Sequence, residues 1–321
     1  MGALATIVLA AISAHVFRQR RVAILTGIAA GLHPAFVLLS TDIQTEPLFL
    51  LFLLGSGLLL LVAVDRPSSN LALAAGALLA AATLTRSSAL PLAIFLLAPF
   101  FDRRYPLRAR AHIALSGAFG FVLALAPWTL RNALVYRELL LVNDGGGIVF
   151  YAGNSDRMLD FYEAKNQTEL QVWAREMNRE MERQVASFPE TVRRSPARLS
   201  RELVRKAVEN RVRNPRDTLR LYGKKLGDWL RPYPHPLYWP RAVVWLTGFY
   251  YCLLFAFAGV GIALAPRHGV ARFSIAFLAA SMALHLVLMV AWRYRIPYWD
   301  PVLLLYGVFG AGGTLLPRWT R

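Results

Sequence analysis

The sequence predicts an all-α membrane protein, a polytopic helical bundle of about nine spans with a helical domain in one long loop. Hydrophobic residues make up 56 % of its 321 residues, well above the share in ordinary globular proteins. Apolar stretches about as long as a bilayer is thick alternate with short arginine-rich turns. A single polar segment, at 128–240, interrupts this alternation. Most of the chain is therefore expected to lie in the bilayer.

Six apolar stretches precede the polar segment and three follow it, so the chain divides into 1–127, 128–240 and 241–321. Two helices within 71–101 would reach only about 22 Å each, whereas the hydrocarbon core is about 30 Å thick. One continuous helix would leave Arg86 near the middle of the bilayer, which is costly. A hairpin with Arg86 at its tip is the more economical interpretation. The expected spans are 2–17, 22–40, 47–64, 71–85, 88–101, 111–127, 242–265, 273–291 and 300–316.

The arginines divide the short turns into two sets, and this division predicts the orientation of the chain. One set holds only Arg86, Arg293 and Arg295, and turns rich in positive charge are typically cytoplasmic. The C-terminus is therefore expected inside. The segment 128–240 is expected outside, because long loops cross the membrane largely regardless of their charge. The richer set consists of Arg18, Arg20, Arg21, Arg66, Arg103, Arg104, Arg108, Arg110, Arg267, Arg272, Arg318 and Arg321.

The formal net charge of +17 raises the question of nucleic acid binding. The arginines lie in turns and in the polar segment without a nucleic-acid-binding motif around them, so we expect no nucleic acid partner. Anionic membrane lipid is the expected partner of the basic turns. Cys252 is the only cysteine and lies in an apolar stretch, which excludes a disulfide within the chain and a thiolate metal cluster.

The polar segment begins with glycines that leave two interpretations open. Gly145–Gly147 favour a flexible turn over a cradle for phosphate, because no helix start is evident directly after them. Ile148–Tyr151 is predicted to be a short extended piece. Helices are then expected at about 169–187 and 196–212.

The last predicted helix of the polar segment, at about 215–230, has the pattern of a helix lying on a membrane surface. Its basic residues, among them Lys225, are expected on the polar side. The apolar side is formed by Leu219, Tyr222, Leu226, Trp229 and Leu230.

Five motifs follow one another along the chain and are expected on one face of the membrane. They are Ser40–Phe49, Leu84–Leu90, Pro127–Asn132 with Gly153-Asn154, Asn214-Pro215 leading to Trp229, and Arg293–Pro297 with Pro301. Together they resemble motifs of the GT-C integral-membrane glycosyltransferases, a superfamily that includes protein O-mannosyltransferases and lipid A aminoarabinose transferases. The resemblance covers essentially the whole chain and implies a bacterial cytoplasmic membrane protein.

In the superfamily, the first span is followed by an outer loop that carries the catalytic acidic residue. This sequence resembles the superfamily from the second span onward. An odd number of spans with a cytoplasmic C-terminus also places Met1 outside. We therefore expect that a span and an acidic loop are missing before Met1.

The resemblance implies transfer of a sugar from a polyprenyl-phosphate carrier to a protein, lipid or glycan acceptor on the outer face. Such a reaction needs cations that hold the departing lipid phosphate. Arg86, Arg131, Arg293 and Arg295 are expected to form this phosphate site, because a guanidinium binds phosphate oxygens in pairs. Each arginine taken alone is equally well explained as a surface residue at the end of a span.

The reaction also needs a carboxylate that takes the proton of the acceptor. Asp42 and Glu46 are the catalytic candidates, since residues four apart would share one face of a helix. Contact with substrate or metal, or solvation at a turn, are alternatives for this pair. Asp144, Asp156 and Asp300 are further carboxylates on the same predicted face.

Four more residues are substrate-binding candidates. Trp128, Asn132 and Asn154 lie in the motifs that open the outer loop, and His235 lies between prolines near its end. Two roles are possible for His235, namely contact with substrate or an ordinary position in a loop. No dense set of metal ligands is evident, so we expect no cofactor and no tightly held metal, although a divalent metal is compatible with the family.

Two other functions remain open. One is a catalytically inactive protein that binds lipid phosphate. The other is a transporter or flippase of a lipid-linked sugar, a class marked by broken helices and by ionisable groups near the bilayer midplane. The ionisable residues of this chain are expected at span ends instead, which favours the transferase.

Overall fold

The computed structural model describes residues 2–41, 44–102, 104–143, 145–265 and 268–315. It is 83 % helical, and no strand occurs within these ranges. The predicted fold class, an all-α membrane protein, is therefore confirmed. The helices are α1 (Gly2–Phe17), α2 (Arg20–Gly31), α3 (Pro34–Thr41), α4 (Glu46–Asp65), α5 (Ser69–Thr85), a 3-10 helix (Ser87–Phe101), α6 (Leu107–Tyr136), α7 (Gly146–Gly153), α8 (Arg157–Glu163), α9 (Gln167–Ala186), α10 (Glu190–Arg193), α11 (Pro196–Arg213), α12 (Pro215–Leu230), α13 (Arg241–Ala263), α14 (His268–Val287) and α15 (Trp292–Leu315).

Within the described residues, four helices are long and apolar enough to cross a membrane, namely α4, α6, α13 and α14. The pair α2 and α3 makes a fifth if it is counted as one bent span. Three apolar helices are shorter, namely α1, α5 and the 3-10 helix. The expected count of about nine spans stays a prediction.

The chain divides into two compact units. Unit 1 consists of Met1–Pro127, Phe249–Ser281 and Arg295–Arg321, and unit 2 of Trp128–Gly248 and Met282–Tyr294. Each unit combines segments that are distant in sequence, so its side-chain contacts depend on the tertiary fold.

The expected span at 22–40 is broken in the structure. Helix α2 ends at Gly31 and α3 begins at Pro34, with a bend of 53° between them. Proline disfavours helical backbone in the residue before it and fits the first position of a new helix. The sequence His33-Pro34 therefore accounts for the break.

The second arm of the predicted hairpin at Arg86 is a 3-10 helix. It contains Pro91 and Pro99, neither of which can donate a backbone hydrogen bond. A 3-10 helix rises about 2.0 Å per residue, so its 15 residues extend about 30 Å instead of the 22 Å of an α-helix. The segment is therefore long enough to match a hydrocarbon core.

Helices α6 and α15 differ from the expected bounds. Helix α6 continues through Pro127 to Tyr136, although the span was expected to end at 127. Helix α15 begins at Trp292, before the expected position 300. Membrane helices tolerate internal proline because neighbouring groups satisfy the backbone that it frees. The motif residues after Pro127 and after Trp292 consequently lie on helices.

The glycine-rich start of the polar segment was predicted wrongly. Gly146–Gly153 form helix α7, so the expected extended piece at Ile148–Tyr151 is absent and a helix does begin at the glycines. Gly147 faces α11 so closely that a Cβ atom there would lie 2.5 Å from the Ser200 backbone. Close packing against α11 accounts for helix α7. Such a tertiary contact cannot be predicted from local sequence propensity.

Helix α12 also departs from its predicted faces. Lys225, expected on the polar side, is fully buried, as is Trp229, whereas Leu219 is 78 % exposed. The helix packs through Leu221, which contacts Met158 and Met177 in the core of unit 2. The apolar side of α12 is therefore shared between this core and the surface.

A close contact between α13 and α15 in unit 1 yields the first testable prediction. A Cβ atom on Gly261 would lie 1.9 Å from the carbonyl oxygen of Tyr306. We expect Gly261→Ala to lower the free energy of unfolding by about 1–3 kcal/mol, because backbone must move apart. Gly259→Ala on the same helix meets nothing within 4 Å and should be neutral or slightly stabilising. Thermal unfolding of both purified variants measures the difference, and equal midpoints would contradict the packing.

Candidate functional site

One end of unit 1 contains an open cavity of about 380 Å³. The start of α1, the end of α3 and the start of α4 meet there, and a Cβ atom on Gly2 would lie 2.5 Å from Ser40 Oγ. The lining is mostly apolar, with the carboxylate-bearing Glu46 among it. The lining residues are Gly2, Ala3, Thr6, Ala30, Gly31, Phe36, Val37, Leu39, Ser40, Glu46, Pro47, Leu50 and Pro297.

Glu46 and Arg86 form an ion pair at this end of unit 1. Arg86 Nη1 donates to Glu46 Oε1 at 2.6 Å, and the two side chains are 16 % and 5 % exposed, respectively. Glu46 is the first residue of α4, where the helix dipole favours a negative charge. Arg86 occupies the extended junction between α5 and the 3-10 helix. The start of α4 and the junction between α5 and the 3-10 helix therefore place a carboxylate and a guanidinium next to each other.

Aromatic residues surround this pair. The Arg86 guanidinium lies 5.9 Å from the Phe49 ring centroid, and Phe49 in turn packs against Tyr298. Tyr298 shares a hydrogen bond of 2.8 Å with Ser88, two residues after Arg86. Helix α15 is thereby held against the Glu46–Arg86 pair.

The other two site candidates of unit 1 are Asp42 and Arg295. Asp42 lies outside the described residues. Arg295 is only 1 % exposed, and its guanidinium lies 4.9 Å from the ring centroid of Tyr251 and 5.5 Å from that of Phe255. A phosphate would reach Arg295 only after these rings move, so its role as a phosphate ligand stays a prediction.

Unit 2 contains Arg131 and Arg293, both exposed. Arg131 donates to Asn132 Oδ1 at 3.1 Å and lies 5.2 Å from the Trp128 ring centroid. Arg293 lies 5.1 Å from the Tyr294 ring centroid. Because the four arginines are distributed over both units, their convergence on one phosphate stays a prediction.

Three substrate candidates of unit 2 contact the protein itself. Trp128 Nε1 donates to the carbonyl of Val142 at 2.7 Å. The amide nitrogen of Asn132 donates to the carbonyls of Leu140 and Val142, at 3.1 and 3.0 Å. The half-buried ring of His235 packs near Phe161, and burial followed by the charge of Arg231 lowers its pKa. Their contact with substrate stays a prediction.

The amide of Asn154 is buried and bonds to protein atoms on both sides. Its nitrogen donates to the carbonyls of Phe150 and Val287, both at 2.8 Å, and its oxygen accepts from Tyr222 and Lys225. Lys225 Nζ also donates to the carbonyls of Leu286 and Leu288, at 2.8 and 3.2 Å. These bonds satisfy the carbonyls at the end of α14, which helical geometry leaves without partners.

Lys225 carries the second testable prediction, on pH. Burial, followed by the positive charge of Arg211, lowers the pKa of Lys225 from 10.5 to about 7. The unfolded chain holds the proton up to about pH 10.5 and the folded chain only to about pH 7. The unfolded state therefore binds more protons between these values, and stability rises with pH there, by at most about 1.4 kcal/mol per pH unit. The difference in unfolding free energy between wild type and Lys225→Met should show this slope, whereas the exposed neighbour Lys224→Met should not change it.

Comparison with protein families bears on the site in unit 1. Residues 1–130 match the dolichyl-phosphate-mannose-protein mannosyltransferase family. The match includes Glu46, Arg86 and most of the cavity lining, and it ends within α6. It confirms the predicted resemblance to GT-C glycosyltransferases for this part of the chain. Searches of curated proteins and of solved structures gave no match.

The match covers 130 of the 321 residues, and the matched family is one of mannosyltransferases. The family implies, in general terms, a lipid-linked sugar donor and a protein acceptor. The motif residues from Arg131 onward lie outside the matched residues. The Glu46–Arg86 pair is thus the part of the candidate site that lies within the matched residues, and its role stays a prediction.

Sequence reasoning missed a buried polar cluster in unit 1, formed by His33, Tyr251, Arg295 and Asp300. Tyr251 donates a hydrogen bond to Asp300, and His33 Nε2 lies 3.6 Å from Asp300 Oδ2. A histidine before a proline inside an apolar stretch, and an aspartate inside another, are the signals that could have found it. Within the described residues, no group of three or more His, Cys, Asp and Glu side chains could hold a metal.

Proposed function

We propose that this chain is a GT-C glycosyltransferase that moves a sugar from a polyprenyl-phosphate carrier to an acceptor hydroxyl at the outer face of a bacterial cytoplasmic membrane. The Glu46–Arg86 pair beside the cavity of unit 1 is the observation that carries the proposal. It combines a cation for the carrier phosphate with a carboxylate for the acceptor proton, inside the stretch that matches the family.

Transfer breaks the bond between the anomeric carbon of the sugar and a phosphate oxygen, and it forms a bond from that carbon to the acceptor oxygen. The polyprenyl phosphate leaves with the bonding electron pair, and Arg86 stabilises the negative charge that develops on it. Glu46 accepts the acceptor proton as general base. The apolar cavity lining is suited to exclude water, which would otherwise compete with the acceptor.

The distribution of arginine between the two ends of unit 1 supports a position of the cavity at the outer face of the membrane. Arg86 and Arg295 belong to the arginine-poor set of turns, whereas Arg104 belongs to the arginine-rich set. In unit 1, Arg104 pairs with Asp65 at the far end of the 20-residue helix α4 from Glu46, about 30 Å away. The arginine-poor end is the external one by the distribution of positive charge.

The test is a transfer assay with the purified full chain in liposomes. A radiolabelled polyprenyl-phosphate sugar and, separately, the corresponding nucleotide sugar are offered with peptide or lipid acceptors. We expect label in the acceptor only from the polyprenyl-phosphate donor. Donor binding without turnover would instead identify an inactive lipid-phosphate-binding protein, and transfer from the nucleotide sugar would contradict the proposal.

A transporter of lipid-linked sugar is the second candidate, because the structure shows two features of transporters. The span formed by α2 and α3 is broken, and ionisable side chains lie inside the helices of unit 1, not only at their ends. The depth of these groups in the bilayer, and so the expectation that ionisable groups lie at span ends, stays a prediction. Movement of a fluorescent polyprenyl-phosphate sugar between liposome leaflets, without any acceptor, would favour this candidate.

A further inference from the structure

The polar cluster inside unit 1 lies where the span formed by α2 and α3 is broken. His33 and Asp300 are both fully buried, 13 residues after the start of α2 and 8 residues after the start of α15, respectively. A polar or ionisable side chain at such depth is costly and is a functional candidate by default. The pair is distinct from the Glu46–Arg86 pair, which lies at the helix ends.

The titratable and charged groups that face His33 come from two helices. Asp300 and Arg295 come from α15, and the charge of Arg295 acts on both His33 and Asp300. Tyr250 and Tyr251 come from α13, with ring centroids 5.4 and 5.7 Å from that of His33. Arg295 offsets the charge of an ionised Asp300, so one additional proton on the pair is the event that changes the net charge of this cluster.

Three polar atoms of the pair have no hydrogen-bond partner among the described residues, namely His33 Nδ1, His33 Nε2 and Asp300 Oδ1. Tyr251 already occupies Asp300 Oδ2. Unsatisfied buried polar atoms are rare in native proteins and call for a specific cause such as a catalytic role or a bound small group. His33 Nε2 faces Asp300 Oδ2 at 3.6 Å, so a proton held between the imidazole and this carboxylate would give the nitrogen a partner.

The cavity that Glu46 lines borders the pair. Gly31 and Phe36, on either side of His33 in sequence, line the cavity, and so does Pro297, one turn before Asp300. The Phe36 ring packs on His33 with centroids 4.6 Å apart. Phe36 therefore lies between His33 and the cavity.

We propose that His33 and Asp300 form a buried proton-binding site that takes the proton released by the acceptor hydroxyl, after Glu46, during sugar transfer. This inference rests on the proposed function. The acceptor O–H bond breaks as the new glycosidic bond forms, Glu46 receives the proton, and the proton then moves from Glu46 to the pair. Glu46 is restored to the carboxylate that the next turnover requires. No other co-reactant is needed, because the carrier phosphate leaves with the electron pair and the His33–Asp300 pair releases its proton to water before the next turnover.

The experiment combines infrared titration with kinetics on the purified full chain in liposomes. The wild type should show the carbonyl band of a protonated buried carboxyl, and this band should disappear as the pH is raised. Asp300→Asn should lack this band, and His33→Gln should shift its midpoint. The matched control is Thr26→Val, which removes a buried hydroxyl from α2 that bonds Ser13 outside the cluster; its spectrum should equal that of the wild type.

In the transfer assay, we expect Asp300→Asn and His33→Gln to lower kcat about tenfold or more and to leave KM within about twofold. Their kcat should also lose the pH dependence that the wild type shows over the infrared midpoint. Asp300→Glu, which keeps the carboxyl, should retain both band and activity, and it serves if Asp300→Asn does not fold.

Identical infrared titrations of wild type and Asp300→Asn would overturn the proton site. If the wild type shows the titrating band but Asp300→Asn and His33→Gln keep the wild-type kcat, the pair binds a proton but has no role in sugar transfer. Absence of transfer by the wild type would instead refute the proposed function, and the infrared titration would still decide whether the pair binds a proton.

Discussion

Arg86→Ala is expected to lower kcat/KM for sugar transfer by about 10²- to 10³-fold, the effect of removing one donor that stabilises developing negative charge. The guanidinium of Arg86 is the cation nearest Glu46 in unit 1 and lies at the cavity end. Arg86→Lys should recover only part of the rate, because an ammonium does not bind two phosphate oxygens in the planar geometry of a guanidinium.

The matched control for this prediction is Arg104→Ala. Arg104 also forms ion pairs in unit 1, with Asp65 at 2.8 Å and Asp102 at 2.5 Å, but at the opposite end of α4. Its loss should leave kcat/KM within about twofold, as befits an exposed ion pair. Equal effects of the two substitutions would show that Arg86 matters for folding alone.

Arg86→Ala also leaves Glu46 buried without its partner, so stability and activity need separate readouts. Breaking a buried pair from one side is costly, whereas removing both charges is often tolerated. We therefore expect Arg86→Ala with Glu46→Gln to unfold at a higher temperature than Arg86→Ala alone, while transfer stays at background. Recovery of transfer in the double variant would contradict the proposed chemistry.

Trp229→Ala is expected to lower the free energy of unfolding by about 3–5 kcal/mol, the usual cost of removing a large buried aromatic side chain. Trp229 is only 1 % exposed, and its ring stacks on His285 at 4.9 Å. It thereby joins α12 to the end of α14 within unit 2. Trp229→Phe should recover a large part of the loss because it keeps an aromatic ring in the same place.

The control for Trp229→Ala is Trp245→Ala. Trp245 is 78 % exposed on α13, so its removal creates no cavity in the protein. Thermal unfolding of both variants in the same detergent measures the difference. A similar decrease for both would show that unit 2 does not depend on the core around Trp229.

Much of the fold could be predicted because hydrophobicity and proline act locally. The hairpin tip at Arg86 and the helices at 196–213 and 215–230 follow from sequence signals that the structure shows at nearly the same positions. Sequence signals did not predict the 3-10 geometry after Arg86 or the continuation of α6 past Pro127. In both cases proline ends a helix in isolation, whereas packing in the membrane supports an alternative backbone.

The candidate site could be predicted only in part, for a related reason. Glu46 and Arg86 are 40 residues apart, and topology alone placed them on one face. The burial of Arg295 under Tyr251 and the pairing of His33 with Asp300 depend on how α13 and α15 pack, which local patterns do not encode. Lys225 was assigned to a solvated face for the same reason.

With the expected span at 88–101 in the bilayer, the length of the 3-10 helix Ser87–Phe101 determines the depth of Arg86. Replacing Pro91 and Pro99 by alanine would allow ordinary α-helical winding, and the segment would shorten by about 8 Å. Either Asp102 or Arg86 would then be drawn toward lipid tails. Pro91 and Pro99 thus determine, through the length of the 3-10 helix, the depth of Arg86, on which the proposed chemistry depends.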